Sequence, residues 1–222
     1  MRLPNIQNYQ NSNIIETLKI KDIPEVDRRC TIMSDKDKIK RIKEIEKIVR
    51  SSMEYRQYIS FLRDKMDMDR CRYFKKVSNE NNRKISIEIH HEPFSLFDIT
   101  QTVLNKYIYN DLDINVLKIS EEIMKIHYQN MVGLIPLSVT VHELVHRGDI
   151  FIPLQETYGN FKEFIKTYER FIDPELFDML RVKLKMSKEL VELDMSILEK
   201  KYRYIEVDGM TFPEVNKDTI YK

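Results

Sequence analysis

Apolar residues recur at every third or fourth position over most of this chain, a periodicity that predicts amphipathic helices. The first helical pattern follows Ser34, and the spacing from Ser34 to Asp37 matches a capping box at its start. Further helical patterns cover residues 52–66, 95–131, 160–171 and 173–201. The hydrophobic pattern therefore predicts a mostly helical protein.

Two shorter segments have the patterns of β-strands. Residues 85–90 alternate between apolar and polar side chains, and residues 133–137 form a short apolar run. Pro136 in the second run indicates a sheet edge or a strand terminus, because proline cannot donate to a central ladder. A weaker alternation in residues 202–222, with a turn at Asp208–Gly209, predicts a short hairpin or tail. The predicted fold class is α+β, predominantly α-helical.

The order of these patterns divides the chain into three segments. Residues 1–69 are predicted to form an N-terminal arm and amphipathic helices. Residues 70–153 hold both clear strand patterns and all of the histidines. Residues 154–222 are predicted to form C-terminal helices followed by the short β tail. A metal-binding or catalytic site is therefore expected in the middle segment, residues 70–153.

Composition narrows the possible partners. Of the 222 residues, 42% are hydrophobic, which is enough for a packed core. The formal net charge is only +1, so a nucleic-acid partner would have to meet a local basic patch. Two cysteines cannot form a four-thiolate zinc site or a disulfide scaffold. No apolar run approaches about 18 residues and no signal peptide is apparent, so a cytoplasmic protein without a membrane partner is expected.

One local basic excess occurs directly before the first strand pattern. Between positions 70 and 84, six basic residues are accompanied by a single acidic residue, Glu80. The basic residues are Arg70, Arg72, Lys75, Lys76, Arg83 and Lys84. Two interpretations stay open, a solvated hairpin and a loop that contacts phosphate groups.

All five histidines lie between positions 90 and 146. His142 and His146 are separated by one helical turn, so both side chains share a helix face and can bind one metal ion. His90 and His91 end the first strand pattern and are predicted to point in opposite directions. His127 lies among apolar residues and is predicted to be a core residue. This clustering favours a single metal or catalytic centre over scattered core histidines.

The order of a strand, a histidine pair, a second strand and a helix with H-x-x-x-H resembles the His-Me finger (ββα-metal) nucleases of the HNH type. In motif detail it is similar to the colicin-type DNases, whose motif closes with H-x-x-x-H-R-G. Here that motif runs from His142 to Gly148, with Arg147 between His146 and the glycine. The resemblance covers residues 71–153, and the chain is also similar to uncharacterised HNH-type proteins of bacteriophages.

The resemblance implies a metal-dependent DNA endonuclease that hydrolyses phosphodiester bonds in a central ββα-metal module. It implies that His91 is the general base, and that His90, His142 and His146 hold Zn²⁺, Mg²⁺ or Mn²⁺. It further implies DNA as a partner, phage origin, and a protein partner in a phage or host assembly. The candidate DNA-contacting residues are Arg147, Arg72, Lys75, Lys76, Arg83 and Lys84.

The sequence departs from the HNH pattern at Gly133. The pattern has an asparagine nine residues before the first helix histidine, where it orients the base, and this chain has Gly133 there. Either Asn130 or the backbone of Gly133 is then the candidate for orienting the base. The departure keeps a second hypothesis open, a catalytically silent HNH-derived protein with a DNA-binding or structural role.

A third hypothesis is an HExxH zinc metalloprotease with Glu143 as its base. Its further ligand would be Glu163 or Glu169, which lie at suitable distances along the chain. Two features weigh against it. Gly148 ends the helix soon after His146, and a protease site would leave the pair His90 and His91 without a role.

Overall fold

A computed structural model describes residues 33–74 and 86–190, together with the backbone of residues 202–207 and 210–215. Most of the predicted N-terminal arm, residues 75–84 of the basic segment 70–84, and the predicted turn at Asp208–Gly209 lie outside the described residues. Within the described ranges the protein is mainly helical with small two-stranded sheets. The predicted α+β, predominantly α-helical class is therefore confirmed.

The helices follow the predicted patterns closely. Their bounds are α1 Asp35–Ser51, α2 Met53–Lys65, α3 Leu96–Tyr109, α4 Val116–Tyr128, α5 Val139–His146, α6 Phe161–Tyr168 and α7 Pro174–Glu189. The strands are β1 Ile87–His91, β2 Leu134–Ser138, β3 Tyr202–Val207 and β4 Met210–Val215. β1 pairs antiparallel with β2, and β3 pairs antiparallel with β4.

Side-chain caps fix where several helices begin. The Ser34 hydroxyl accepts a hydrogen bond from the backbone N–H of Asp37, which confirms the predicted start of α1. Ser95 and Asp98 form a complete capping box at the start of α3. The single pattern over 95–131 divides into α3 and α4 because Asn115 caps a new helix after a turn. Local hydrogen bonding therefore sets helix boundaries that the hydrophobic period alone leaves open.

The larger hydrophobic core lies among the helices and includes residues from all three predicted segments. Ile45 of α1, Val103 of α3 and Ile123 of α4 are fully buried in it, as is Leu180 of α7. A smaller core lies under the β1–β2 pair and is formed by Cys71, Ile87, Ile135, Leu137, Val141, Leu144 and Ile152 among others. The sheet is therefore anchored by apolar packing on the side where α5 begins.

The short sheet and α5 form a continuous unit. β1 and β2 pair so that His90 lies opposite Ile135 and His91 lies opposite Leu134. α5 begins at the residue after β2, so Ser138 both ends the strand and precedes the helix. Gly148 has a φ of 76° just after α5, a left-handed conformation that glycine adopts easily and that ends the helix. This unit sets the positions of four of the five histidines, His90, His91, His142 and His146.

None of the helices in the described parts of the chain has both the length and the apolar character needed to cross a bilayer.

Candidate metal centre

Three histidines converge where β1 lies beside α5. His90 comes from β1, and His142 and His146 come from successive turns of α5. One ring nitrogen of each histidine lies within 4.8 Å of the other two, and the Nε2 atoms of His142 and His146 are 2.9 Å apart. His90 is buried, His142 is half-buried and His146 is exposed. The cluster is therefore open to solvent on one side.

The spacing of these nitrogens fits a transition-metal ion. Zinc–imidazole bonds of about 2.0–2.1 Å in a tetrahedral site put neighbouring nitrogens roughly 3.4 Å apart. The 2.9 Å pair and the 4.8 Å outer limit bracket that spacing, so the three histidines could hold such an ion. Imidazole nitrogens suit zinc and its neighbours in the first transition series, whereas Mg²⁺ prefers oxygen ligands. The pKa of His146 is lowered, chiefly by partial burial and then by His142, which favours the neutral, ligating form.

A carboxylate on β1 contacts the cluster at His142. The Glu88 carboxylate is hydrogen-bonded to Nδ1 of His142. Glu88 and His90 are two residues apart on the strand, so their side chains lie on the same face of the sheet. The contact leaves Nε2 of His142 directed toward Nε2 of His146. β1 therefore supplies one candidate ligand and a partner for a second.

A second carboxylate, Glu92, lies beside His90 in a buried position. One oxygen of Glu92 is 3.5 Å from Nε2 of His90, and the other is 2.5 Å from the Lys183 ammonium. Lys183 also donates to the backbone carbonyl of Pro93, at 3.1 Å. Glu92 is only 4% exposed, so this ion pair neutralises a charge that would otherwise be costly to bury. The pair joins α7 to the end of β1.

His91 points away from the cluster and into the helical core. Its Nε2 atom lies 3.0 Å from Nε2 of His127, and Nδ1 of His127 lies 2.7 Å from the backbone carbonyl of Ile123. Burial holds the pKa of His91 well below its usual range and lowers that of His127 to about 4. The prediction that His90 and His91 face opposite sides is confirmed, as is the core position of His127. The candidate base His91 thus lies in the interior, hydrogen-bonded to a second imidazole.

Gly133 is required by a close approach of two backbone segments. A Cβ atom at this position would lie 1.8 Å from the backbone oxygen of Glu92. The Gly133 carbonyl accepts a hydrogen bond from the N–H of Glu92, at 2.9 Å, just beyond the β1–β2 ladder. Asn130 has a φ of 57° at the end of α4, and its carbonyl accepts from the N–H of Asn160, at 2.7 Å. Both candidate base-orienting residues are thus engaged in backbone connections.

Two of the candidate DNA-contacting residues form ion pairs in the structure, and the others lie outside the described part of the chain. Arg72 forms a 2.5 Å ion pair with Glu156, and Arg147 pairs with Asp149 at 2.9 Å. The remaining candidates, Lys75, Lys76, Arg83 and Lys84, lie outside the described residues. Both described arginines therefore have an acidic partner in the structure.

The protease arrangement does not form around His142 and His146. The third member of their cluster is His90, whereas Glu163 lies on α6 and Glu169 follows that helix. Glu143 is exposed on α5. The geometry therefore gives Glu143 no place in the cluster.

Sequence reasoning missed Glu88, Glu92 and Lys183 as neighbours of the histidines. The signal for the two glutamates was present, because residues two apart on a strand share a face and both flank His90 at that spacing. Lys183 lies 91 residues beyond Glu92, and the approach of α7 to β1 depends on tertiary packing. Its contact could therefore not be inferred from local pattern.

Comparison with known proteins identifies the family. No curated protein and no solved structure matches the chain. The profile of the Bacteriophage G278-like virion protein family matches residues 5–211, which is most of the sequence. The predicted HNH-type family, and with it the predicted DNA endonuclease activity, is therefore wrong, and the match does not support DNA as a partner. The phage origin is confirmed: the chain belongs to the Bacteriophage G278-like virion protein family.

Proposed function

We propose that this protein is a structural component of a phage particle. We further propose that one divalent transition-metal ion stabilises the fold of the protein. The proposed ligands are His90, His142 and His146. The observation that carries the metal site is the convergence of three ring nitrogens, all within 4.8 Å, from a strand and a helix. Membership of a virion protein family supports the structural role. Its partners would be other proteins of the assembling particle.

A metal ion at this position would join two short elements, β1 and α5. β1 and β2 have five residues each and α5 has eight, so the unit is small, and its apolar packing is confined to the smaller core. A bound ion would link β1 directly to α5 and supply binding free energy to the folded state only. In this interpretation β1, β2 and α5 form a structural ββα-metal unit.

The size of the stabilisation follows from mass action. An ion present at about 100 times its Kd stabilises the folded state by about 2.7 kcal/mol. For a domain of this size, each kcal/mol shifts the Tm by about 2–4 °C, so a rise of roughly 5–11 °C is expected. The rise should be greater for Zn²⁺ than for Mg²⁺ because all three proposed ligands are nitrogen atoms.

Metal analysis of the purified protein tests the site. We expect one equivalent of metal in the wild type and loss of that equivalent in the His142→Ala/His146→Ala variant. Glu143→Gln is the matched control, because it changes an exposed side chain on the same helix and should keep the metal. Wild-type protein that binds no Zn²⁺ after dialysis against the ion would refute the site.

Mass spectrometry of purified phage particles tests the structural role separately. We expect the chain at a fixed number of copies per particle, and cross-links from it to other particle proteins. Its absence from washed particles would refute the structural role, whatever the result of the metal analysis.

A further inference from the structure

We propose that Glu88 is a positioning residue of the metal site, which selects the nitrogen that His142 presents to the ion. The inference rests on the metal site proposed above and assigns a role to a residue outside its three ligands. Glu88 is hydrogen-bonded to Nδ1 of His142 through its carboxylate.

The chemistry of the two groups fixes the position of the proton. An ionised carboxylate only accepts hydrogen bonds, so Nδ1 of His142 must be the donor. A neutral imidazole carries one proton, and Nε2 of His142 is then left with a free lone pair. That nitrogen is the one 2.9 Å from Nε2 of His146, inside the cluster. Glu88 therefore keeps His142 in the tautomer that can bind metal toward His146.

The backbone holds Glu88 in place for this task. Glu88 lies opposite Leu137 in the β1–β2 register, and only five positions along the chain separate Leu137 from His142. The path from carboxylate to imidazole thus runs through one strand pair and the first turn of α5. Because both ends of the path are regular structure, the ring orientation is set before an ion arrives.

The solvent exposure of Glu88 distinguishes an effect on metal binding from an effect on folding stability. The Glu88 side chain is 45% exposed and that of His142 is 22% exposed. Exposed contacts between a carboxylate and a basic side chain contribute little to folding stability. A carboxylate behind a metal-bound histidine, by contrast, typically changes metal affinity by about 10–100-fold. Glu88 should therefore affect metal binding far more than it affects the stability of the metal-free protein.

The test measures Zn²⁺ affinity by competition with a chromophoric chelator, using full-length wild type, Glu88→Ala, Glu88→Gln and Glu143→Gln. We expect about 10–100-fold weaker binding for Glu88→Ala. Glu88→Gln should lose less, because its amide oxygen still accepts a hydrogen bond but carries no charge. Glu143→Gln also removes one negative charge, but from an α5 side chain that is outside the histidine cluster. This variant should bind Zn²⁺ with the affinity of the wild type. Melting in chelator identifies any variant that has lost its fold.

Histidine ring ¹⁵N NMR of the metal-free protein gives a readout that a purely structural role would not change. We expect the Nδ1–H tautomer for His142 in the wild type and a shift toward Nε2–H in Glu88→Ala. A Glu88→Ala variant that binds Zn²⁺ within twofold of wild type and keeps the Nδ1–H tautomer overturns the role of Glu88 but leaves the metal site intact. If the wild type binds no Zn²⁺, the metal site and the role of Glu88 both fail.

Discussion

Substitution of Gly133 by alanine tests the close approach of the Gly133 backbone to that of Glu92 at the end of the β1–β2 pair. The new Cβ would be 1.8 Å from the Glu92 backbone oxygen, where ordinary contacts are 3.4–4 Å, so one segment must move by about 1.6 Å. Overpacking of this kind costs about 1–3 kcal/mol. Losing the hydrogen bond from the Glu92 N–H adds about 1 kcal/mol. We therefore expect the free energy of unfolding to fall by about 2–4 kcal/mol.

Thermal and urea unfolding followed by circular dichroism measure this loss. At about 2–4 °C per kcal/mol, the Tm should fall by roughly 4–16 °C. Gly148→Ala is the matched control, because its Cβ would meet no atom within 4 Å and only its φ of 76° opposes the change. That control should cost about 1–2 kcal/mol. If Gly133→Ala unfolds within about 0.5 kcal/mol of wild type, the close approach between Gly133 and Glu92 is refuted.

Three further predictions follow from buried polar contacts and one helix cap. The pKa of His127 is about 4 in the folded chain and 6.5 in a free histidine, so the unfolded chain binds more protons between those values. With a chelator present to remove metal, the free energy of unfolding should therefore fall by about 3 kcal/mol as the pH is lowered from 6.5 to 4. A free energy of unfolding, measured by urea titration, that does not change over this pH range would contradict the prediction. Lys183→Met leaves the Glu92 carboxylate buried without its cation and should lower the free energy of unfolding by about 2–4 kcal/mol. In a double-mutant cycle, adding Glu92→Gln should restore part of that loss. Ser95→Ala removes the capping box with Asp98 and should lower stability by about 1 kcal/mol in urea unfolding, whereas an unchanged midpoint would refute the cap.

Much of the secondary structure could be predicted because its causes are local. The hydrophobic period and the caps at Ser34 and Ser95 depend on residues within a few positions of one another. The same is true of the pair His142 and His146, since one helical turn places both rings on one face. Their convergence with His90 was expected only from the resemblance to the ββα-metal nucleases, and the structure shows it.

The family could not be predicted from the histidine pattern, and the reason is physical. Three imidazoles on a strand and a helix satisfy the geometry of a metal ion in any protein, whether or not a reaction takes place there. The position of His91, the candidate base, depends on the packing of the core. Its ring is hydrogen-bonded to His127 in the interior, a contact across 36 residues that no local pattern encodes. Gly133 was a local departure from the HNH pattern. The structure explains the glycine, because a Cβ atom there would lie too close to the backbone oxygen of Glu92.

The alternation of β1 has a consequence for how the strand can pair. A shift of β1 by one residue against β2 would turn every side chain to the opposite face. His91 would then point toward α5, while Glu88, His90 and Glu92 would enter the helical core. Two carboxylates would lose the partners they have at His142 and Lys183, and the interior would lose the imidazole that faces His127. The polar residues of this strand therefore help to select its register, together with Ile87 and Ile89, which pack against the two cores.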